Sequence, residues 1–192
     1  MDCFALLDEP RQPWLDAAAL KEKFLTQSAP THPDKFTEAA EKEAAQARFT
    51  ELNTAHETLR APKHRLAHLL TLERGAKPGE VHDIPPDTAD LFLTVGSALK
   101  PVDSFLSEQN ALDSPLLKAR AMPRALELLD QVNTLQQEIH GRLEAADKQL
   151  QELNNHWPSA RALEAAEQLY HEYSYLGRWC QQLQDRAVRL GF

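Results

Sequence analysis

His32, Pro33 and Asp34 stand in a row inside the stretch TQSAPTHPDKFTEAA, which runs from Thr26 to Ala40. A histidine moves a proton near neutral pH, and an aspartate offers a carboxylate that accepts hydrogen bonds or meets a cation. The proline between them opposes a continuous helix. It pushes His32 toward extended backbone and leaves Asp34 able to cap a following helix. The tripeptide therefore reads as a stiffened, polar connection, and its neighbours must decide whether it acts on a partner or only turns the chain.

Other reactive side chains are poorly placed for chemistry. His64 and His68 are four apart on a predicted helix, a spacing that can hold a metal. No glutamate base lies between them and no third ligand is within reach in sequence, so helix-surface histidines are the better reading. Cys3 and Cys180 lie at opposite ends of the chain without a CxxC pair or a catalytic context, which suits small buried or half-buried hydrophobes in a reducing compartment. There is no glycine-rich phosphate loop. The residues point away from an enzyme and imply neither cofactor nor metal.

The elements that position the tripeptide follow from apolar periodicity. Residues Asp16 to about Ser28 read as an amphipathic helix behind an Asp16 cap, with Ala19, Leu20, Phe24 and Leu25 at helical spacing, stopped by Pro30 and Pro33. A second helix runs from about Thr37 to Leu59 with Ala45, Phe49, Leu52, Ala55 and Leu59 on one face. The two form an antiparallel hairpin that needs a third apolar surface, which Phe4, Leu6, Leu7, Leu66, Leu69 and Leu70 can supply.

The segment ERGAKPGEVHDIPP, Glu73 to Pro86, reads as a linker or stiff elbow. Beyond it lie three further helical stretches. The first begins near Asp87 and carries Leu91, Val95, Ala98, Val102 and Phe105 on one face, with Gly96 and Pro101 expected to weaken or kink it. The second runs from about Ser114 to Leu153, its seam formed by Leu126, Leu129, Ile139, Leu143, Ala146, Leu150 and Leu153. The third, Ser159 to about Leu190, uses Leu163, Ala166, Tyr170, Tyr173, Leu176, Cys180, Leu183, Ala187 and Leu190. NNHWPSA, Asn154 to Ala160, is the turn between the two long helices. The expected fold is all-α: an N-terminal helical hairpin domain over 1–72, the elbow over 73–86 and a three-helix bundle over 87–192.

Composition narrows the function classes. The 192 residues are 42% hydrophobic and 26% charged, with only 6 glycines, a helical globular balance. Net charge is −8; residues 1–72 hold 9 Lys+Arg against 11 Asp+Glu and residues 73–192 hold 12 against 18, so neither half is a basic nucleic-acid footprint. The aromatics of YHEYSYLGRW fit bundle core rather than a base-stacking platform. Apolar runs fall far short of the ~20 residues that cross a bilayer. The start MDCFALLDEP lacks a basic n-region and an apolar h-region, so the expected location is the cytoplasm. Nothing requires more than a monomer.

A lead-in helix CFALL, a helical hairpin connected by HPDKF and the signature ELNTAHETLRAPKHRLAHLL together resemble a J-domain, and the subtype the chain is similar to is HscB, the co-chaperone of bacterial iron–sulfur cluster assembly. Asn53, Ala55, Leu59, Pro62 and Arg65 fill the N-x-A-x-x-x-L-x-x-P-x-x-R-A pattern that ends that J-domain, with Ala67 one place beyond the usual alanine. The resemblance continues through DTADLF at Asp87 and the closing helix to a terminal aromatic, Phe192. It has departures. Ser28 and Pro30 occupy positions that are commonly basic or aromatic, His56 and His68 stand where aromatics are usual, and Leu93 and Gly96 sit where the family often has acids.

The resemblance implies a co-chaperone without substrate chemistry of its own. Asp34 would present its carboxylate to a cation on a DnaK-type, HscA-like chaperone, with Pro33 stiffening the loop and His32 bracing it. Binding that favours the hydrolysis-competent state of the partner is a coupling free energy between two proteins. Lys21, Lys23 and Lys35 would steer toward an acidic chaperone surface, ordinary solvated charge being the alternative. Leu91, Phe92, Val95 and Tyr175 would form the apolar patch that docks the client, an iron–sulfur scaffold, with core packing as the alternative, strongest for Val95. A second reading stays open: a J-like helical adaptor that does not stimulate an ATPase, or that tethers another client.

Overall fold

The computed structural model describes residues 1–79, 86–110 and 114–191. The middle of the expected elbow, 80–85, and the terminal Phe192 lie outside the described residues. Every regular element among those described is helical. The helices are α1 (Cys3–Leu6), α2 (Ala17–Ser28), α3 (Ala39–Arg60), α4 (Pro62–Arg74), α5 (Pro86–Asn110), α6 (Pro115–Leu153) and α7 (Ala160–Leu190).

Two compact units cut across the covalent order. One contains Met1–Gly79 together with Asp147–His171, and the other contains Glu80–Ala146 together with Glu172–Phe192. The end of α6 and the start of α7 therefore belong with the N-terminal helices rather than with the rest of the bundle.

In the first unit α3 packs against α1, α2 and α4. Asp2 caps α1 by accepting from the amides of Phe4 and Ala5, and Asp16 caps α2 by accepting from Ala19 at 2.7 Å. Pro62 at the first helical position ends α3 and starts α4, because its missing N–H costs nothing there. The core is Phe4, Leu7, Leu15, Leu20, Leu52, Ala55, Leu59 and Leu69, and Trp157 from the α6–α7 turn packs against it. Asn154 in the same turn holds both backbone groups of Trp14, accepting from its N–H and donating to its carbonyl at 3.0 Å each. The third apolar surface that the hairpin needs is supplied as expected by Phe4, Leu7, Leu66, Leu69 and Leu70, all fully buried, with Leu6 half-buried. Leu25, expected on the core face of α2, is instead exposed.

Among the described residues Arg65 is the one buried charged side chain, donating from Nε to the Pro13 carbonyl at 2.7 Å and from Nη1 to the Leu59 carbonyl at 2.6 Å. It ties the segment before α2 and the end of α3 to α4. Glu73 and Arg74 belong to α4, so the elbow begins later than the sequence suggests, at Gly75, whose φ of 72° forms the left-handed cap.

The second unit buries Leu91, Val95, Leu99, Val102, Phe105 and Leu106 of α5 against Leu128, Val132, Leu135 and Ile139 of α6 and Leu176, Trp179, Leu183 and Leu190 of α7. One helix runs through Gly96 and Pro101, the positions expected to weaken or kink it. The seam of α6 also shifts: Leu126 is exposed, and Ala125 and Leu128 face inward. Along α7, Leu163, Tyr170 and Cys180 are only half-buried, whereas Ala162, Leu169 and Trp179 fill the core positions.

Candidate functional site

The His-Pro-Asp loop is two consecutive short 3-10 turns, Ala29–Thr31 and Pro33–Lys35, between α2 and α3. His32 is extended, as the following proline demands, and its Nδ1 accepts the Asp34 N–H at 3.3 Å, capping the second turn. The imidazole meets Phe49 of α3 edge-on, ring centroids 5.2 Å apart. Pro33 is buried. The carboxylate of Asp34 is 81% exposed, with one oxygen 3.6 Å from His32 Nδ1. The loop thus spends its proline and histidine on holding backbone shape, and its carboxylate faces solvent.

The expected cations separate. Lys21 and Lys35 are exposed. Lys23 instead donates to the Asp8 carbonyl at 2.7 Å and pairs with Glu9 at 3.0 Å, so its charge is largely spent within the chain. A lysine within a helix gave no sequence signal of that long-range pair. Ser28, a departure from the resemblance, is buried and its hydroxyl donates to the Leu25 carbonyl.

The two unusual histidines do the work of aromatics. His56 stacks on Phe24 at 4.4 Å and His68 stacks on Phe4 at 5.8 Å. Burial lowers the pKa of each, keeping the rings neutral and apolar in character. His68 also accepts the Cys3 N–H through Nε2 at 3.0 Å, which a phenyl ring could not do. Among the described residues no cluster of three or more His, Cys, Asp or Glu could hold a metal, and His64 is exposed while His68 is engaged with α1.

The proposed client residues lie in the second unit but do not share one surface. Leu91 and Val95 are 2% exposed and belong to the core, because the inward stripe of α5 passes through them. Phe92 is 59% exposed and sits 6.4 Å from Trp179, which in turn stacks on the half-buried Tyr175 at 5.9 Å. The surface is thus Phe92 and Tyr175, with the buried Trp179 against both rings and Leu91 and Val95 in the core. Leu93 beside Phe92 is 66% exposed. Trp179, 4% exposed, is a core residue of α7 that the predicted seam passed over in favour of Cys180. Among the described residues no helix is long and apolar enough to cross a membrane.

Two solved structures share this arrangement. The chaperone HscB from Vibrio cholerae matches with a TM-score of 0.59 at 19% identity, covering 99% of each chain, and the human co-chaperone HscB matches with 0.60 at 21% identity, covering 96% of this chain and 81% of that one. A His-Pro-Asp loop between two packed helices, followed by a helical C-terminal part, defines a J-domain protein. No family model matches the chain. An HscB homologue from Cupriavidus taiwanensis is 32% identical over 149 residues, 75% of this chain and 76% of its own length. The chain belongs to the HscB co-chaperone family. A second relative, from Paraburkholderia xenovorans, is 40% identical over 91 residues, and there the chain spans about half the relative's length, 51%.

Proposed function

We propose that the protein is a co-chaperone of iron–sulfur cluster assembly that stimulates the ATPase of a DnaK-type, HscA-like chaperone and delivers an iron–sulfur scaffold protein to it. The observation that carries this reading is the loop itself: a solvent-facing Asp34 carboxylate on backbone fixed by a buried proline and a capping histidine. A carboxylate preorganised in this way meets a partner's cation without the entropy cost of ordering a free loop. Lys21 and Lys35 add salt-sensitive steering toward an acidic chaperone surface, and Lys23 contributes little because Glu9 already pairs with it. Delivery fits a plan in which the N-terminal helices present the loop and the unit of Glu80–Ala146 with Glu172–Phe192 holds the client.

The scaffold would dock on Phe92 and Tyr175, with Leu91 and Val95 fixing the patch from below. Leu93 and Gly96 replace expected acids, so this face relies more on apolar contact than on charge. The experiment is single-turnover ATP hydrolysis by a DnaK-type chaperone, with the protein, the iron–sulfur scaffold, both or neither. Stimulation by the protein that rises further with scaffold supports the reading. No stimulation of any host DnaK-type chaperone leaves the competing reading, a J-shaped adaptor.

A further inference from the structure

We infer that the first three turns of α6 form a second docking surface, which takes an acidic amphipathic helical segment of a protein partner. The reasoning is independent of the His-Pro-Asp loop and of the Phe92 face. Four of the nine large apolar side chains that stand exposed among the described residues fall within eleven positions here: Leu116 (72%), Leu117 (45%), Met122 (42%) and Leu126 (58%).

Three of the four share one face, and Leu117 lies toward the core side. Leu116 and Leu126, with Ala119 and Pro123 between them, follow the i, i+3, i+7, i+10 spacing of one helix face, and Met122 borders it. The opposite face carries Ala121, Ala125, Leu128 and Val132, which pack into the core. This piece of α6 is therefore apolar on both sides, and among the described residues only the inner side packs into the core. A stripe of that kind facing water is a binding surface in most folded proteins.

Charge selects the occupant. The chain carries a net −8, yet Ser114 to Leu126 holds Lys118, Arg120 and Arg124 and not one acid. On the helix wheel Arg120 and Arg124 border the stripe on one side and Lys118 on the other. Arg124 is paired with Glu127 at 2.9 Å, which leaves Lys118 and Arg120 to set the sign at the rim. An apolar ridge rimmed by cations is complementary to an apolar ridge rimmed by acids, as in helix-on-helix recognition. A flat anionic membrane fits less well. The same outer face continues into exposed Glu127 and Asp130, which a wide lipid surface meets, whereas a peptide helix can end beside Leu126 and extend the other way.

The test is binding of the full chain to a synthetic helical peptide of about 18 residues, long enough to hold helix, with leucines on one face and glutamates at its rim, and to the same peptide with lysines in place of the glutamates. Isothermal calorimetry gives the affinity, and amide chemical-shift changes give the site. Expected are micromolar binding of the glutamate peptide alone, shifts centred on 116–126, and a loss of at least about tenfold in Leu116→Gln/Leu126→Gln and in Lys118→Glu/Arg120→Glu. These side chains are exposed, so unchanged melting of both variants confirms that folding is not the cause. No binding of the glutamate peptide at about 1 mM, some three decades weaker than a micromolar site, overturns the inference. So does equal binding of both peptides, association with phosphatidylglycerol vesicles that the variants lose, or self-association that they lose.

Discussion

Replacing Arg65 with methionine removes the donors that join α4 to two distant backbone segments and keeps most of the side-chain volume. In the native protein the guanidinium is buried and donates to the Pro13 and Leu59 carbonyls. A hydrogen bond from a charged donor is worth about 1.5–3 kcal/mol net, so these two contribute about 3–6 kcal/mol. Against that, the variant no longer desolvates a cation, which returns part of the loss. A net destabilisation of about 2–4 kcal/mol remains, because both carbonyls stay buried without this donor. The assay is urea unfolding followed by far-ultraviolet circular dichroism, with native-state amide exchange to locate the change. At about 1–3 kcal/mol per M of urea, the midpoint should fall by roughly 1–2 M. Protection should drop across the first unit, around Leu15, Leu52 and Leu59, and hold around Leu135 and Ile139 in the second. A variant within about 0.5 kcal/mol of the native protein, the range of ordinary surface changes, would refute the reasoning.

Other consequences separate surface from core and neutral rings from charged ones. Phe92→Ala with Tyr175→Ala should weaken scaffold binding at least about tenfold while costing about 1 kcal/mol or less of stability, whereas Leu91→Ala should cost about 2–4 kcal/mol from its core position. Equilibrium unfolding and scaffold titration read the two effects apart, and normal binding by the double variant would remove the client face. Burial lowers the pKa of His56, His68 and His171, so the native state binds fewer protons than the unfolded chain around the ordinary histidine value of 6.5. Stability should therefore fall as pH drops from about 7 toward 5, where the unfolded chain's histidines take up protons. Glu172 works in the opposite direction: burial raises its pKa above 4.5, and the stability that goes with its neutral form is lost as pH rises through that raised value. His56→Phe with His68→Phe should flatten the histidine part of the profile in urea titrations at several pH values, and an unchanged slope would count against the stacking account.

The hairpin, its loop and the bundle were legible in the sequence because each is a local pattern: a cap at Asp16, apolar stripes at helical spacing, and prolines where helices change. What remained hidden depends on partners far along the chain. Nothing near Asn154 or Trp157 announces that the α6–α7 turn packs with the N-terminal helices, and nothing near Lys23 reveals Glu9. The seam of α6 was misplaced for a physical reason: Leu126 lies among alanines, so a large outward leucine outweighed the small Ala125 that packs inward. Leu91 and Val95 were drawn into the client patch with Phe92, although helical spacing already set Phe92 on a different face. The histidines at 56 and 68 read as departures until their stacking on Phe24 and Phe4 supplied the aromatic role.

The central claim rests on one carboxylate. Asp34→Asn keeps the size of the side chain and removes its charge at a position that is 81% exposed, so helicity and the unfolding midpoint should match the native protein. Single-turnover ATP hydrolysis by a DnaK-type chaperone should then lose its stimulation entirely. Stimulation by the folded Asn variant equal to that of the native protein would contradict the account.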